Sequence, residues 1–536
     1  MKRKLLLILF SLFIAFNINS QGWGEIQKIV PDDRALGDEF GYAVALQGNY
    51  AFINARHKGT VASDGGGVYF FKQDVNDVWN QEQLITHSSP RQFDQFGNSI
   101  AIDGDYLIVG CLNQDYDENE NNYINDAPGA AYIFEKDGSG NWIQAQKLVG
   151  TDRTSLDVFG DAVDISGDYA VVSAPWEDED ENDTNTLNQA GSAFIFERDG
   201  GGVWQRVQKI VASDREANVA FGDKAVAIDG NYIAIGAFRE SKDVSGNNIL
   251  GSAGAVYVFE RNGAGVWNET QKIVASDREF GEWFGASVTM EGNTLIVGAS
   301  QEYATGNTRA QYGAFYVFER DANGVWNEIQ KVRPDYLEHA SKFGHSIDLD
   351  GNRLVVGAYL MDVGGVGDAG VSFVYEKDGT GTWSLVSTIY DPNANNSDYF
   401  GFDVALSGDF AIVGAYPEDE DQDGLNFLQS AGSVFVFDAN EPNTLPGLNT
   451  LSDFDNSFST IFKAYPNPTK GELIIDLNQY YEEVNVSVYN TLGLHLLDSN
   501  YHGDQLIHLN LDVPLGSYYI KVTTANTSSV LKIIKQ

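Results

Sequence analysis

The 536-residue sequence predicts an all-β chain, a seven-bladed β-propeller followed by a small C-terminal β-sandwich. Three observations carry this. A Phe-Gly pair recurs seven times, about every 60 residues; a turn of Gly with Asn or Asp follows each pair; and a Trp opens a further strand in almost every unit. Recurrence at a fixed period marks a repeat architecture. Four short antiparallel strands per unit make a propeller blade.

The Phe-Gly pairs open the first strand of each unit, at Phe40, Phe96, Phe159, Phe221, Phe284, Phe343 and Phe400. The turns lie at Gly48-Asn49, Gly104-Asp105, Gly167-Asp168, Gly230-Asn231, Gly292-Asn293, Gly351-Asn352 and Gly408-Asp409. Two-residue turns of this type match the twist of a β-hairpin. A second strand, such as Leu295 to Gly298, is apolar on both faces, as expected of a strand covered from both sides. The third strand reads Gly67-Val68-Tyr69-Phe70-Phe71 and, later, Gly432-Ser433-Val434-Phe435-Val436-Phe437. The fourth begins at Trp79, Trp142, Trp204, Trp267, Trp326 or Trp383. Such sheets are stable only when packed radially, with aromatic side chains filling the spaces between blades.

The seventh unit lacks a fourth strand after Phe437, whereas Trp23 to Val30 precedes the first Phe-Gly pair and matches the later fourth strands. Residues 23–30 are therefore expected to pair with Ser433 to Phe437 and close the ring, removing an exposed sheet edge. One unit carries an extra residue between Phe221 and Gly230, and a bulge at Asp223-Lys224 is the simplest repair.

The recurring Phe-Gly and the Val-Gly-Ala at Val297-Gly298-Ala299, Val356-Gly357-Ala358 and Val413-Gly414-Ala415 are similar to the FG-GAP repeats of integrin α-subunit propellers and their bacterial relatives. The resemblance covers about residues 21–440. In integrin-type repeats an Asp-rich calcium loop often joins the first two strands; here a tight Gly turn stands there, so calcium does not carry over to those turns.

Lys2, Arg3 and Lys4 followed by the apolar run Leu5 to Phe16 and a cleavage site before Gln21 read as a signal peptide over residues 1–20. The run is too short for an ordinary spanning helix, and no later stretch is apolar enough to span. Residues 21–437 are then the propeller and 438–461 a polar linker. Residues 462–536 open with Tyr465-Pro466-Asn467-Pro468, continue through Leu492-Gly493 and Gly516-Ser517-Tyr518-Tyr519, and end at Leu531-Lys532-Ile533-Ile534-Lys535. This segment resembles the C-terminal sorting domain of the type IX secretion system of Bacteroidetes. The resemblance implies handling by that machinery and a secreted or cell-surface location.

A formal net charge of −42, from 34 basic and 76 acidic side chains, argues against nucleic acid or an anionic membrane surface as partner. Cys111 is the only cysteine, so no internal disulfide forms. Three loops between second and third strands are acidic, and alternate oxygen donors there suit a hard cation. The candidate calcium ligands are Asp419, Asp421, Asp423 and the Leu425 carbonyl, then Asp178, Asp180 and Asn182, then Asp115, Asp117 and Asn119. Ser430 stands where an EF-hand loop needs Glu, and a solvated acidic loop is the competing reading. The pairs Asp152-Arg153, Asp214-Arg215 and Asp277-Arg278 recur at one point of the repeat, which favours a structural role between blades. The seven histidines show no metal spacing, and no catalytic motif is present.

The sequence thus points to a secreted or surface binding module, an adhesin type, that recognises a protein or glycan through its loop face. The alternatives are a polysaccharide-acting enzyme with its site at the central funnel, favoured by titratable groups converging on the channel, and a purely structural repeat protein.

Overall fold

The computed structural model describes residues 22–59, 63–124, 126–151, 153–302, 311–333, 340–363, 366–422, 424, 426–443, 463–466, 469–490, 495–511, 513–514, 516–524 and 528–535. The expected signal peptide, most of the expected linker and the candidate ligands Asp423 and Leu425 lie outside them.

Seven four-stranded antiparallel sheets form the blades. Blade 1 runs Phe40–Gln47, Tyr50–Ala55, Gly67–Gln73 and Trp79–Ile85 from the channel outward. Its first hairpin turns in two residues, with Gln47 opposite Tyr50. The second strand is buried on both faces, whereas the outer strand is buried only at Trp79 and Ile85, with exposed and half-buried residues between them. Seven apolar clusters fill the seven spaces between blades. The one between blades 3 and 4, for example, sets Val171, Ile195 and Ile210 against Phe221, Ile233, Tyr257 and Trp267.

The repeat motif follows from how closely neighbouring blades approach. A Cβ on Gly414 would stand 2.1 Å from the carbonyl oxygen of Gly41. The glycine of Val-Gly-Ala thus lies against the Phe-Gly of the next blade, and any side chain would separate the two. Gly432, at φ +83°, has Phe40 O at 2.0 Å from the same virtual position. Both contacts join blade 7 to blade 1.

The ring closes as the sequence predicts. Gly24–Ile29 is the outer strand of the last sheet, antiparallel to Ser433–Asp438, with Ile29 opposite Val434 and Gly24 opposite Asp438. Trp23 and Ile29 are both 2% exposed there.

The expected bulge is observed, within an irregularity that other blades share. In blade 1 the pairing breaks between Phe40 and Val44. In blade 3 the hydrogen bonds Gly160 N to Ser173 O and Ser173 N to Ala162 O leave Asp161 looped out. In blade 4 the equivalent bonds, Gly222 N to Gly236 O and Gly236 N to Ala225 O, leave out both Asp223 and Lys224. Lys224 takes φ +57°, and regular pairing resumes at Val226.

The C-terminal strands Lys463–Tyr465, Glu472–Asn490, His495–Asn510, Gly516–Thr524 and Ser528–Lys535 form one connected sheet. The Glu472–Asn490 strand pairs with Lys463–Tyr465 early in its length and with Gly516–Thr524 late, so the sheet wraps its own core of Leu473, Ile475, Val486, Ile520 and Ile533.

Candidate functional site

Three recurring side-chain contacts hold the blades in register and fix the loop face. Asp214 accepts the Tyr257 hydroxyl at 2.7 Å and pairs with Lys272 at 2.7 Å, both of blade 4. The adjacent Arg215 reaches back to the blade 3 loop and donates to the Asp178 and Asn185 carbonyls. Asp277 and Arg278 repeat this between blades 4 and 5. Asp33 and Arg34 repeat it across the closure, binding Tyr69 of blade 1 and the Asn426 carbonyl of blade 7. Arg153 donates to the Gln114 carbonyl; its partner Asp152 is outside the described residues. The Asp-Arg pairs are thus staples between blades. In six of the seven outer strands, all but Trp383–Ile389, a Gln also exchanges two hydrogen bonds with the next blade's Trp backbone, as Gln208 does with Trp267. In four blades the Lys beside that Gln meets a buried glutamate of its own blade: Lys28 with Glu418 at 2.5 Å, Lys209 with Glu177 at 3.5 Å, Lys272 with Glu240 at 3.6 Å, and Lys331 with Glu302 at 2.7 Å.

These staples hold the acidic loops against the connections between blades. Asp178 Oδ1 accepts Gln189 N at 2.7 Å, Asp419 Oδ1 accepts Ser430 N at 2.5 Å, and Asp115 Oδ1 accepts Ala127 N at 3.4 Å. The second Asp of each loop caps its own turn. Asp117 accepts Asn119 N and Asn121 N, Asp180 accepts Asn182 N and Thr184 N, and Asp421 accepts the Asn426 side-chain amide. Hydrogen bonds, led by the Asn185 side chain, hold the Asp180 carboxyl well below the usual range. The Asn119 and Asn182 side chains turn to Glu118 and Glu181. Among the described residues, no three carboxylates of these loops bring ligand oxygens within 4.8 Å of one another.

The inner strands of all seven blades line a channel of about 520 Å³. Its carboxylates latch neighbouring blades: Asp164 accepts Ile228 N at 2.7 Å, Asp348 accepts Leu406 N at 2.7 Å and Asp403 accepts Val44 N at 2.8 Å. Burial raises Asp164 and Asp348 to about 7 and Asp403 to about 6, against the lowering effect of those bonds. Lys224, displaced inward by the extra residue, reaches from blade 4 to the Tyr42 hydroxyl of blade 1, 2.8 Å away. These blades are not neighbours, so the side chain crosses the lumen. Burial works against its charge, but Tyr42 and Asp161 outweigh that and hold its pKa above the usual lysine value. Around it, Tyr416 and Tyr359 pack edge to face on Phe402, and Tyr42 edge to face on Tyr416, with His345 5.0 Å from Phe402 and the Arg56 guanidinium 3.9 Å over Tyr42. His345 lines the channel. Burial, with Lys224 and Lys342 nearby, lowers its pKa to about 3. The extra residue before Gly230 was the one sequence signal for this crossing; its direction depends on the ring.

Exposed apolar side chains crowd the loop face. Leu36, Phe93, Leu156 and Phe280 stand on connections between blades, and Tyr123, Leu187, Val244, Ile249 and Phe427 on loops between second and third strands. The two sets share one rim, because Gly37 N bonds Gln429 O, Leu156 N bonds Asp126 O and Gly281 N bonds Gly251 O.

The chain matches the family model described as FG-GAP repeat seven times, at residues 23–71, 79–134, 142–196, 204–259, 267–318, 326–375 and 383–437. Residues 463–536 match the model described as secretion system C-terminal sorting domain. No curated protein matches the chain. A solved structure of a structural-genomics target from Lactobacillus plantarum is similar at 14% identity and a TM-score of 0.43, over 72% of this chain and 99% of that one. No helix among the described residues is long and apolar enough to cross a membrane. With its repeats matched to blades over more than half its length, the chain belongs to the FG-GAP repeat family, and its sorting domain directs type IX export to a secreted or cell-surface location.

Proposed function

We propose that the propeller is a non-catalytic binding or adhesion module that recognises an extracellular protein or glycan through its loop face. The rim of exposed apolar side chains set among acidic loops carries this reading. Phe280 is 69% exposed, Ile249 68% and Phe427 67%, on loops anchored by staples that leave little to order on binding. Full-length protein screened on extracellular-protein and glycan arrays tests it. A ligand that Phe280→Asp or Ile249→Asp rejects, with melting unchanged, supports the reading. Binding that these changes leave intact places the site elsewhere.

The channel supports a second reading, an enzyme at the funnel, because Asp403, Lys224 and His345 line it together, with Asp161 beside them. Against it, Asp403 is committed to latching Val44 N, and Lys224 occupies the lumen. Polysaccharide turnover lost in Asp403→Asn and Lys224→Met, but kept in the rim variants, would establish the enzyme.

Calcium is the ion proposed for the Asp419–Asn426 loop, with weaker sites at Asp178–Asn182 and Asp115–Asn119. Relief of carboxylate repulsion is the driving term. The ion would have to displace Asn426 from Asp421 and release the matching turn caps at Asp180 and Asp117.

A further inference from the structure

Blade 2 departs from its sisters at two positions that the fold brings together. The second strand ends in Ala55, Ala174, Ala237, Ala299, Ala358 or Ala415 in six blades, but in Cys111 in blade 2. Eight residues beyond the outer-strand Trp the chain carries Pro31, Gly150, Ala212, Ala275, Pro334 and Asp391 in six cases, but His87 where it enters blade 2. His87, Asp94 and Cys111 each place one ligand atom within 4.8 Å of the others.

All three are buried, His87 and Asp94 at 2% exposure and Cys111 at 0%. His87 Nε2 lies 3.0 Å from Asp94 Oδ2, and the Cys111 thiol donates to the Asp94 carbonyl at 3.4 Å. The His87 ring stacks on Tyr132 with centroids 4.7 Å apart. Among the described residues, His87 Nδ1 has no hydrogen-bond partner, and Nε2 has only the ion pair with Asp94. Leaving such buried groups unsatisfied is costly.

Charge points the same way. In sister blades a buried carboxylate meets a lysine, as in Asp38–Lys58 at 2.9 Å and Glu302–Lys331 at 2.7 Å. In blade 2 the lysine of the outer strand, Lys147, pairs instead with Glu120 at 2.6 Å. Among the described residues Asp94 has only His87 as an ion-pair partner. A buried carboxylate needs a compensating cation.

We propose that His87, Asp94 and Cys111 bind a divalent transition metal of the zinc class, in a site between blades 1 and 2. Imidazole, carboxylate and thiolate are zinc's ordinary donors, at about 2.0–2.3 Å from the ion. Side-chain adjustments alone bring groups already within 4.8 Å to that spacing. Calcium and magnesium prefer all-oxygen sites, which a thiol and an imidazole do not supply. On binding, the Cys111 proton leaves to solvent, and thiolate plus carboxylate balance the ion's two charges. Water, or the Gln114 side chain already 3.2 Å from Asp94 Oδ2, completes the shell.

The test uses untagged full-length protein, stripped of metal and titrated with cobalt(II), then zinc(II). The expected result is one cobalt per chain, a thiolate-to-cobalt charge-transfer band with tetrahedral d–d bands, displacement by zinc, and a melting temperature that rises with zinc. Cys111→Ala and His87→Ala restore small residues that sister blades carry at these positions, so their folds should hold while the band and the bound metal are lost. Asp421→Ala, in the acidic loop, should keep both. A folded wild-type chain that shows no thiolate–cobalt band and retains no zinc after dialysis would overturn the site, as would unchanged metal content in both variants.

Discussion

Blade 4 takes its outer strand, Trp267–Ile273, from the residues that follow its third strand; blade 7 takes Gly24–Ile29 from the opposite end of the propeller. The contacts are nevertheless alike. Lys272 pairs with Glu240 and Lys28 with Glu418; Arg278 donates to the Ser241 carbonyl and Arg34 to the Asn426 carbonyl. Gly254 bridges Phe284 just as Gly432 bridges Phe40. What differs is chain connectivity. Closing a loop about eighty times longer, residues 30–432 against 262–266, costs about 4 kcal/mol more by the logarithmic rule. Burial of Trp23 and Ile29, at about 2 kcal/mol or more each, offsets that. Closure therefore depends on repeat chemistry at the two ends rather than on a special lock.

Removing one end breaks the comparison outright. Deletion of residues 21–30 should bare the Ser433–Asp438 edge and abolish cooperative melting, with aggregation visible by size exclusion. A truncated protein that melts like the intact one would show that the closing strand is dispensable.

A milder pair of changes asks whether the two outer strands are energetically equivalent. Lys28→Met leaves Glu418, 1% exposed, without its cation, and Lys272→Met does the same to Glu240. Each should cost about 3–5 kcal/mol in urea unfolding. A much smaller cost at Lys28 would mean that the N-terminal strand already frays. Gly432→Ala should cost about 2–4 kcal/mol, because Phe40 O occupies the Cβ position at 2.0 Å. At Gly408, where φ is also positive but nothing lies within 4 Å, the same change should cost about 1 kcal/mol. Equal costs would remove close blade contact as the reason for the glycine.

Much of this frame was readable in the chain because Phe40-Gly41 and its six copies mark backbone contacts that admit no other residue. The closing strand was readable for a related reason: Gln27-Lys28-Ile29 repeats Gln208-Lys209-Ile210, and partners repeat with the motif. Contacts without a repeating partner were not readable. Lys224 to Tyr42 joins blades on opposite sides of the ring, and His87 with Cys111 joins two exceptions to the pattern. The acidic loops were ambiguous, because alternate Asp residues that wrap an ion also cap a turn, as Asp180 does for Thr184 N.

Buried carboxylates of the channel and exposed turn-capping carboxylates of the rim should respond oppositely to pH. In the channel the native pKa of Asp164 and Asp348 is about 7, so between roughly pH 4 and 7 the folded chain holds protons that the unfolded chain has released. Their contribution to stability is complete below pH 4 and falls as pH rises toward 7. Asp403 and Asp223, both near 6 and raised chiefly by burial, act alike. His345, lowered to about 3, opposes them, losing stability as pH falls below about 6.5. On the rim, hydrogen bonds led by that from Ser245 lower Asp243 to about 2, so its contribution persists until strong acid. The carboxylates outnumber the histidine, so calorimetry at constant ionic strength should give a higher melting temperature at pH 5.5 than at pH 8. Asp348→Asn should flatten that difference, and His345→Phe should enlarge it. A melting temperature that climbs steadily to pH 8 would contradict the channel assignment.

The smallest expected effect separates an ion-filled rim from one capped only by its own amides. If calcium binds Asp419 and Asp421 with a dissociation constant of about 10⁻⁴ to 10⁻³ M, millimolar calcium stabilises the fold by about 0.4–1.4 kcal/mol. The gain is small because the ion must first release Asn426 from Asp421. Titration calorimetry should then show a weak heat that Asp421→Ala reduces, and chelator should lower the melting temperature slightly in wild type but not in the variant. Asp180→Ala should weaken any second site while leaving the first intact, since the two loops belong to blades 3 and 7. If wild type gives no heat at millimolar calcium and chelator leaves its melting unchanged, the turn caps account for the carboxylates, and Asp421→Ala should then lower stability through loss of a cap alone, by about 1 kcal/mol whether or not calcium is present.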